Sequence, residues 1–272
     1  MNQQDLLYGY GSVAIVAVLF IAMVAVNEVG FRVGRFVQAR TDNEVKSLTG
    51  AIQASILGLL ALLLGFTFSM SMQRYDNRSM ALIDEANSIG TAQLRAQLLP
   101  EQYRDEVSNL LQDYIVLRVE IGQLDLTKTA ARTAYNQKIA ELQGELWLLA
   151  VSATEVDPRP VTTGAFVVAL NNVIDSQGKR NALLQMQVPE VVLLLLFVVF
   201  LSAGGIMGYS AGLSGKRIFA PIVLVSTLIA LIVFIIIDLD RPKRGLIQVN
   251  QEVMNELLDD ARPSASGRIP AM

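Results

Sequence analysis

The chain has 272 residues, a formal net charge of −3 and a mean hydropathy of +0.43, with 52% hydrophobic and 17% charged residues. Soluble domains carry about 25% charged residues, so the shortfall argues against an ordinary soluble protein. The absence of Cys and His excludes Cys–His zinc sites, iron–sulfur clusters, thiol nucleophiles and His-dependent triads, and an acidic chain with the single Trp147 offers nucleic acid neither a basic footprint nor a stacking platform.

In chain order, the first long apolar segment runs from Tyr8 to Val26. Met1–Gly11 has no Lys or Arg, and no small-x-small cleavage site follows. The segment therefore reads as a retained helix rather than a signal peptide. The second segment is Ala51–Met72. Both are of the order of the roughly 20 residues that cross a bilayer. The central part of each is free of Lys, Arg, Asp and Glu, as expected where one central charge costs roughly 2.5–3.5 kcal/mol.

Residues 73–187 are polar and read as helices throughout. The second span continues through Gln73–Leu99 with no Pro, so its helix projects out of the membrane. Pro100 and Glu101 suit the first turn of a new helix. Val107, Leu110, Leu111, Tyr114 and Ile121 recur at helical spacing. A break is expected at Gly122–Thr127, with Asp125 or Thr127 capping the next helix. Tyr135, Ile139, Leu142, Leu146 and Leu149 form a second stripe, ended by Asp157-Pro158-Arg159-Pro160. Phe166, Val167, Leu170, Val173 and Ile174 form a third, leading to Val188-Pro189. Each stripe reads as helix–helix core. Trp147 reads as packing or as a membrane-interface residue.

Two more spans follow, Val191–Tyr209 and Ile218–Leu239. A polar tail begins at Asp240, with a short helix expected over Gln251–Asp260 and a disordered end over Pro263–Met272. The fold expected is therefore all-α and polytopic. Four transmembrane helices form two hairpins, 1–72 and 188–239. A helical extramembrane domain, 73–187, lies between helices two and three, and 240–272 is a polar C-terminal tail. Basic residues near the span ends are nearly balanced between the two faces. Arg32, Arg35, Arg40 and Lys46 follow the first helix while none precedes it, which favours an external N-terminus.

Candidate functional residues lie in the spans. Ala54, Gly58, Ala61 and Gly65 place small residues at helical spacing on the second span, where they allow close backbone approach in lipid. Beside them run Ser55, Gly58, Leu62, Phe66, Ser69 and Gln73, polar at both ends and apolar in the middle. Around a symmetric oligomer this stripe would line a pore with a hydrophobic constriction at Leu62 and Phe66; within one chain it would pack against the other helices. Gly204, Gly208 and Gly212 make two successive G-xxx-G steps on the third span and read as helix packing. The span centres lack the carboxylates of a proton-coupled transporter and the Arg ladder of a voltage sensor. Glu28, Glu190 and Asp238 sit at span ends, as solvated or dipole-paired charges. Asp238 and Asp240 could hold a hard cation, though pairing with Arg241 and Arg244 is the plainer reading. No nucleophile–base spacing supports an enzyme, and neither a cofactor nor a metal is implied.

Leu62-Leu63-Leu64-Gly65-Phe66-Thr67-Phe68-Ser69, followed by Arg74-Tyr75-Asp76-Asn77-Arg78, resembles the bestrophins. Across most of residues 50–250 the chain more closely resembles the bacterial bestrophin-like domain family of unknown function. The residues that carry this are Gly58–Ser69, Glu85-Ala86-Asn87-Ser88-Ile89-Gly90-Thr91-Ala92, Leu94-Arg95-Ala96, Leu98-Leu99-Pro100 and Leu239-Asp240-Arg241-Pro242-Lys243-Arg244-Gly245-Leu246-Ile247. The resemblance implies a pentameric anion channel whose second spans line the pore. Phe66 matches the neck Phe, Leu62 falls where another neck residue sits, and Gly58 where a third would. Gly58 is a departure, since it reduces a three-ring neck to two rings. The acidic calcium cluster of animal bestrophins has no clear match. The resemblance also implies cytoplasmic termini and middle domain, against the first-helix charge asymmetry, in a bacterial inner membrane. Its partners would be the bilayer, further copies of the chain and small inorganic ions. The rival reading is a membrane-anchored scaffold or stress sensor that acts through its helical domain without a pore.

Overall fold

The computed structural model describes residues 11–123, 129–217, 219–241 and 245–261. Among these, eight α-helices follow one another and no strand occurs: α1 (Ser12–Val37), α2 (Asn43–Ala96), α3 (Glu101–Gln123), α4 (Thr129–Val156), α5 (Thr163–Gln185), α6 (Glu190–Leu213), α7 (Phe219–Leu239) and α8 (Glu252–Ala261). Helices α1, α2, α6 and α7 supply four stretches long and apolar enough to cross a membrane. The described residues fall into two compact units, one within Met1–Tyr75 and Gln187–Ile247, the other within Asp76–Met186 and Gln248–Met272. The 54-residue helix α2 contributes to both.

Several boundaries differ from the expected ones. Helix α1 continues past Val26 to Val37. Apolarity ends there, but helicity does not: Arg32 Nε donates to Glu28 one turn away at 2.9 Å, a pairing that supports a helix without burying it. Helix α3 runs through Gly122 to Gln123. Asp125 and Thr127, the expected caps, lie outside the described residues, as do Ile218 and Pro263–Met272. Pro100, expected in the first turn of a helix, stands just before α3. The Tyr103 N–H bonds the Pro100 carbonyl at the start of α3, and Pro189 precedes α6, which carries Glu190 in its first turn.

In the first unit, α1 packs closely on α6, and less extensively on α7. Both sides of the α1–α6 contact are glycine. A Cβ placed on Gly30 would collide with the Gly205 carbonyl oxygen, and one on Gly34 with that of Tyr209. In return, a Cβ on Gly208 would meet the Asn27 carbonyl oxygen, and one on Gly212 that of Phe31. Asn27 Nδ2 donates to the Gly204 carbonyl at 3.0 Å, adding one interhelical hydrogen bond. Lipid tails are as apolar as Leu, so close packing and such bonds must hold helices together there. Leu19, Met23, Leu60, Leu64, Leu196, Phe200, Val233 and Ile236 form the core of this unit.

Five hydroxyls of the spans are satisfied locally, whereas that of buried Ser71 has no hydrogen-bond partner. Ser55, Thr67, Ser202, Ser226 and Thr227 each donate to the carbonyl four residues back, which removes a polar cost where no water is present. At the end of α7 two buried carboxylates bind backbone. The Ile247 N–H donates to Asp238 at 2.8 Å. The Val188 N–H donates to Asp240 at 2.9 and 3.1 Å, with Arg74 Nε 3.9 Å away. Asp240 is thus tied to the residue before Pro189 and to Arg74. Arg244, one of the partners expected from sequence, lies outside the described residues.

In the second unit, the distal part of α2 packs with α3, α4, α5 and α8 around Ile89, Leu111, Tyr114, Ile139, Leu146, Phe166, Leu170 and Met254. All three apolar stripes face this core or pack on it. Trp147 does not; it is 38% exposed on α4. Arg78 donates to the Leu183 and Met186 carbonyls at 3.3 and 2.7 Å, a cation on the carbonyls that end α5.

The link between α4 and α5 is closed by Asp157. Its carboxylate accepts from the Arg159 guanidinium at 2.7 and 3.1 Å, from the Arg159 backbone N–H at 3.2 Å and from the Thr162 hydroxyl at 2.5 Å. The Arg159 bonds, then the Thr162 bond, hold its pKa well below the usual carboxylate range. A carboxylate depressed on folding adds stability above its unfolded value, near 3.9, and loses it as pH falls from there toward the lower folded value. Asp157→Asn is therefore expected to melt below the wild type at pH 7. That gap should narrow as pH falls below about 4, as followed by melting curves in detergent. A gap unchanged down to pH 3 would refute the assignment.

Candidate pore-lining surface

Within the spanning part of α2, residues 51–72, the buried positions are Leu60, Leu64, Thr67 and Ser71. Ile56, Leu57 and Leu63 are half-buried against the same core, and most of the remaining positions there are exposed. Ser55, Gly58, Leu62, Phe66, Ser69 and Gln73 are all exposed in the chain. Leu62 is 55% and Phe66 63% exposed. These two residues stand four apart, one above the other on the helix. Ala54, Gly58, Ala61 and Gly65 are exposed as well. A Cβ on Gly58 or Gly65 would meet nothing within 4 Å. The close approach that these small residues permit is thus not used within the chain, in contrast to Gly204, Gly208 and Gly212 on α6, which lie against α1.

Beside the exposed stripe, an apolar cleft of about 540 Å³ opens between α2 and α7. Leu57, Leu60, Ala61, Leu64, Gly65 and Phe68 line one wall, and Ile229, Ile232 and Ile235 the other. Ala61 and Gly65 contribute the missing volume. A smaller cavity of about 130 Å³ is lined by Asn27, Glu28, Phe31, Arg217 and Ser226 among others. There Arg217 donates to Glu28 at 2.5 Å, and its guanidinium lies 5.0 Å from the centre of the Phe31 ring. Glu28, expected as a solvated or dipole-paired charge, is therefore ion-paired with both Arg32 and Arg217.

Sequence reasoning missed three sets of residues. The α1 partners of the α6 glycines, Asn27, Gly30 and Gly34, carried a signal in the four-residue glycine spacing. The Asp240–Val188 bond carried none, because backbone donors leave no trace in composition. The third set is a buried ion cluster: Glu85 and Arg118 are completely or almost completely buried, at 0% and 1% exposure, with Arg180 beside them. Arg118 stands four residues after buried Tyr114 and three before buried Ile121. A cation at that place in an apolar stripe was the available clue.

The sequence profile of the Bestrophin-like domain matches residues 14–254. Crystal structures of a bacterial bestrophin homologue from Klebsiella pneumoniae, each carrying a different single mutation, share the fold. One aligns with a TM-score of 0.63 at 13% identity, covering 90% of this chain and 97% of that one. Another gives 0.59 at 18% identity, covering 90% and 95%. A third gives 0.58 at 16% identity, covering 89% and 97%. None of the curated proteins matches.

Proposed function

The chain belongs to the Bestrophin-like domain family, and from that premise we propose that it forms an oligomeric ion channel that passes anions. The exposed stripe of α2 lines the pore: Ser55, Gly58, Leu62, Phe66, Ser69 and Gln73. Leu62 and Phe66 form a two-ring hydrophobic constriction that gates by dewetting. Each subunit places its spans as two hairpins, 1–72 and 188–239, in a bacterial inner membrane. The helical domain 73–187, the tail 240–272 and both termini are cytoplasmic, and the assembly is a pentamer. No catalytic site is part of this reading.

One observation carries it. Two large apolar side chains and a run of small residues are left exposed by their own chain, on a helix long and apolar enough to span the bilayer. Closed rotational symmetry would place five such faces around one axis. Planar-bilayer recordings test it. Phe66→Ala, alone and with Leu62→Ala, is expected to raise conductance or open probability several-fold, since removing the rings widens and wets the constriction. Purified protein that conducts no ion under any condition, in wild-type or variant form, would overturn the channel reading. The scaffold reading draws on the second unit, which has a core of its own. Mass measurement in detergent separates the two. A closed ring favours the channel, and a monomer, or a dimer joined through the second unit, favours the scaffold.

A further inference from the structure

The ion cluster of the second unit does not balance. Glu85 accepts two bonds from Arg118, at 2.5 and 2.9 Å, and one from Arg180 at 2.7 Å. The other end of the Arg180 guanidinium donates to Gln251, a neutral amide, at 2.9 Å. Two guanidinium groups thus share one carboxylate, and neither can shed its proton. One positive charge is left over in a cluster whose three charged side chains are at most 5% exposed. A buried charge without a counter-charge is among the costliest arrangements a fold can hold.

Two donors in this cluster also lack acceptors. Arg118 Nη1 is buried with no hydrogen-bond partner. Tyr114 Oη accepts from Gln143 at 3.4 Å, and its own O–H has no acceptor among the described residues. Tyr114 and Arg118 are four residues apart on α3, hence on one face. Tyr114 is completely buried and close enough to the other members to feel Arg118, Glu85 and Arg180 electrostatically. Tyrosinate cannot supply the missing negative charge, because burial pushes the phenol above its ordinary range, so the O–H remains a donor.

We propose that Tyr114 and Arg118 hold a small monovalent anion, of the size of chloride or nitrate, within the second unit as the counter-ion of the Glu85–Arg118–Arg180 cluster. An anion there accepts both orphan donors and cancels the surplus charge. The site is structural and separate from the stripe on α2, so it stands or falls independently of the channel reading.

The test is thermal unfolding of the full-length protein in detergent, in sodium chloride against sodium gluconate at equal ionic strength. Gluconate, a six-carbon carboxylate far larger than chloride or nitrate, serves as the non-binding control. Chloride is expected to raise the melting temperature by roughly 3–5 °C, since an ion bound only by the folded state stabilises by mass action. Tyr114→Phe keeps the packing and should remove most of that shift, whereas Phe66→Ala should keep it. Equal melting in the two salts, or a chloride shift that Tyr114→Phe leaves intact, would assign the donors to water and overturn the proposal. If Tyr114→Phe does not fold, a bromide anomalous map of wild-type crystals decides. A peak within hydrogen-bond distance of Arg118 Nη1 supports the site, and its absence rejects it.

Discussion

Gly208→Leu is expected to yield no folded protein in detergent, and Gly208→Ala a severely destabilised one, while Gly58→Ala behaves like the wild type or better. Both positions lie on spanning helices, so the contrast is one of surroundings. A Cβ at Gly208 would overlap the carbonyl oxygen of Asn27 and press on its backbone carbon. Backbone cannot rotate out of the way as a flexible side chain can. The two helices would have to separate along their length, because Gly30, Gly34 and Gly212 make equally close contacts above and below. Separation also lengthens the Asn27–Gly204 bond. Overpacking by side chains alone costs about 1–3 kcal/mol, and a backbone collision at a helix crossing exceeds that. At Gly58 nothing lies within 4 Å, so an added methyl gains up to about 1 kcal/mol of helix propensity. Monodisperse yield and melting temperature after purification measure both effects. Gly208→Leu with wild-type yield and melting would refute the tight crossing.

What the sequence made legible follows from what periodicity can report. An apolar run free of charge marks a span, and all four were visible. A stripe at helical spacing marks a buried face, and those of α3, α4 and α5 lie at the core of the second unit. Periodicity does not name the partner of a face. The glycines of α6 indicated close packing, but not that α1, nearly the whole chain away, supplies the opposing glycines. It also does not end where a helix ends, since α1 runs eleven residues beyond its apolar part, from Val26 to Val37, on charges paired at the surface. Charged residues default to solvent in any reading of composition. Glu85, Arg118 and Arg180 therefore read as a soluble domain's surface, although burial of all three is what sets the electrostatics of the second unit. The stripe on α2 was legible as a pattern because polar and apolar residues change along it. Its exposure was not, because a face turned to a partner copy and a face turned to a neighbouring helix have the same composition.

The second large effect is expected at Glu85. Glu85→Gln is nearly isosteric, so it removes charge and leaves volume. Arg118 and Arg180 would then face each other with no carboxylate between them, two buried cations with no counter-charge from the chain itself. Breaking a buried ion pair from one side costs about 3–5 kcal/mol, a large share of the 5–15 kcal/mol that holds a typical domain folded. Arg118→Met should cost less, although it deletes the larger side chain and two hydrogen bonds. Glu85 and Arg180 would remain as a balanced pair, and the orphan donor at Arg118 Nη1 would be gone. Denaturant unfolding of the two variants therefore has an expected order, with Glu85→Gln the less stable. The reverse order would mean that the protein groups of the cluster carry no surplus positive charge. The damage should also be local in a predictable place. Arg180 spans Glu85 and Gln251, the residue just before α8, and Gln251 in turn lies against Gly122 of α3. Once Glu85 no longer anchors the guanidinium, Arg180 is repelled by Arg118 and its hold on Gln251 loosens. Limited proteolysis of Glu85→Gln should then cut around residues 248–261 sooner than in the wild type, before the rest of the second unit is digested. Cleavage that begins elsewhere would show that α8 is held by its apolar contacts, such as Met254 in the core, and not by the ion cluster.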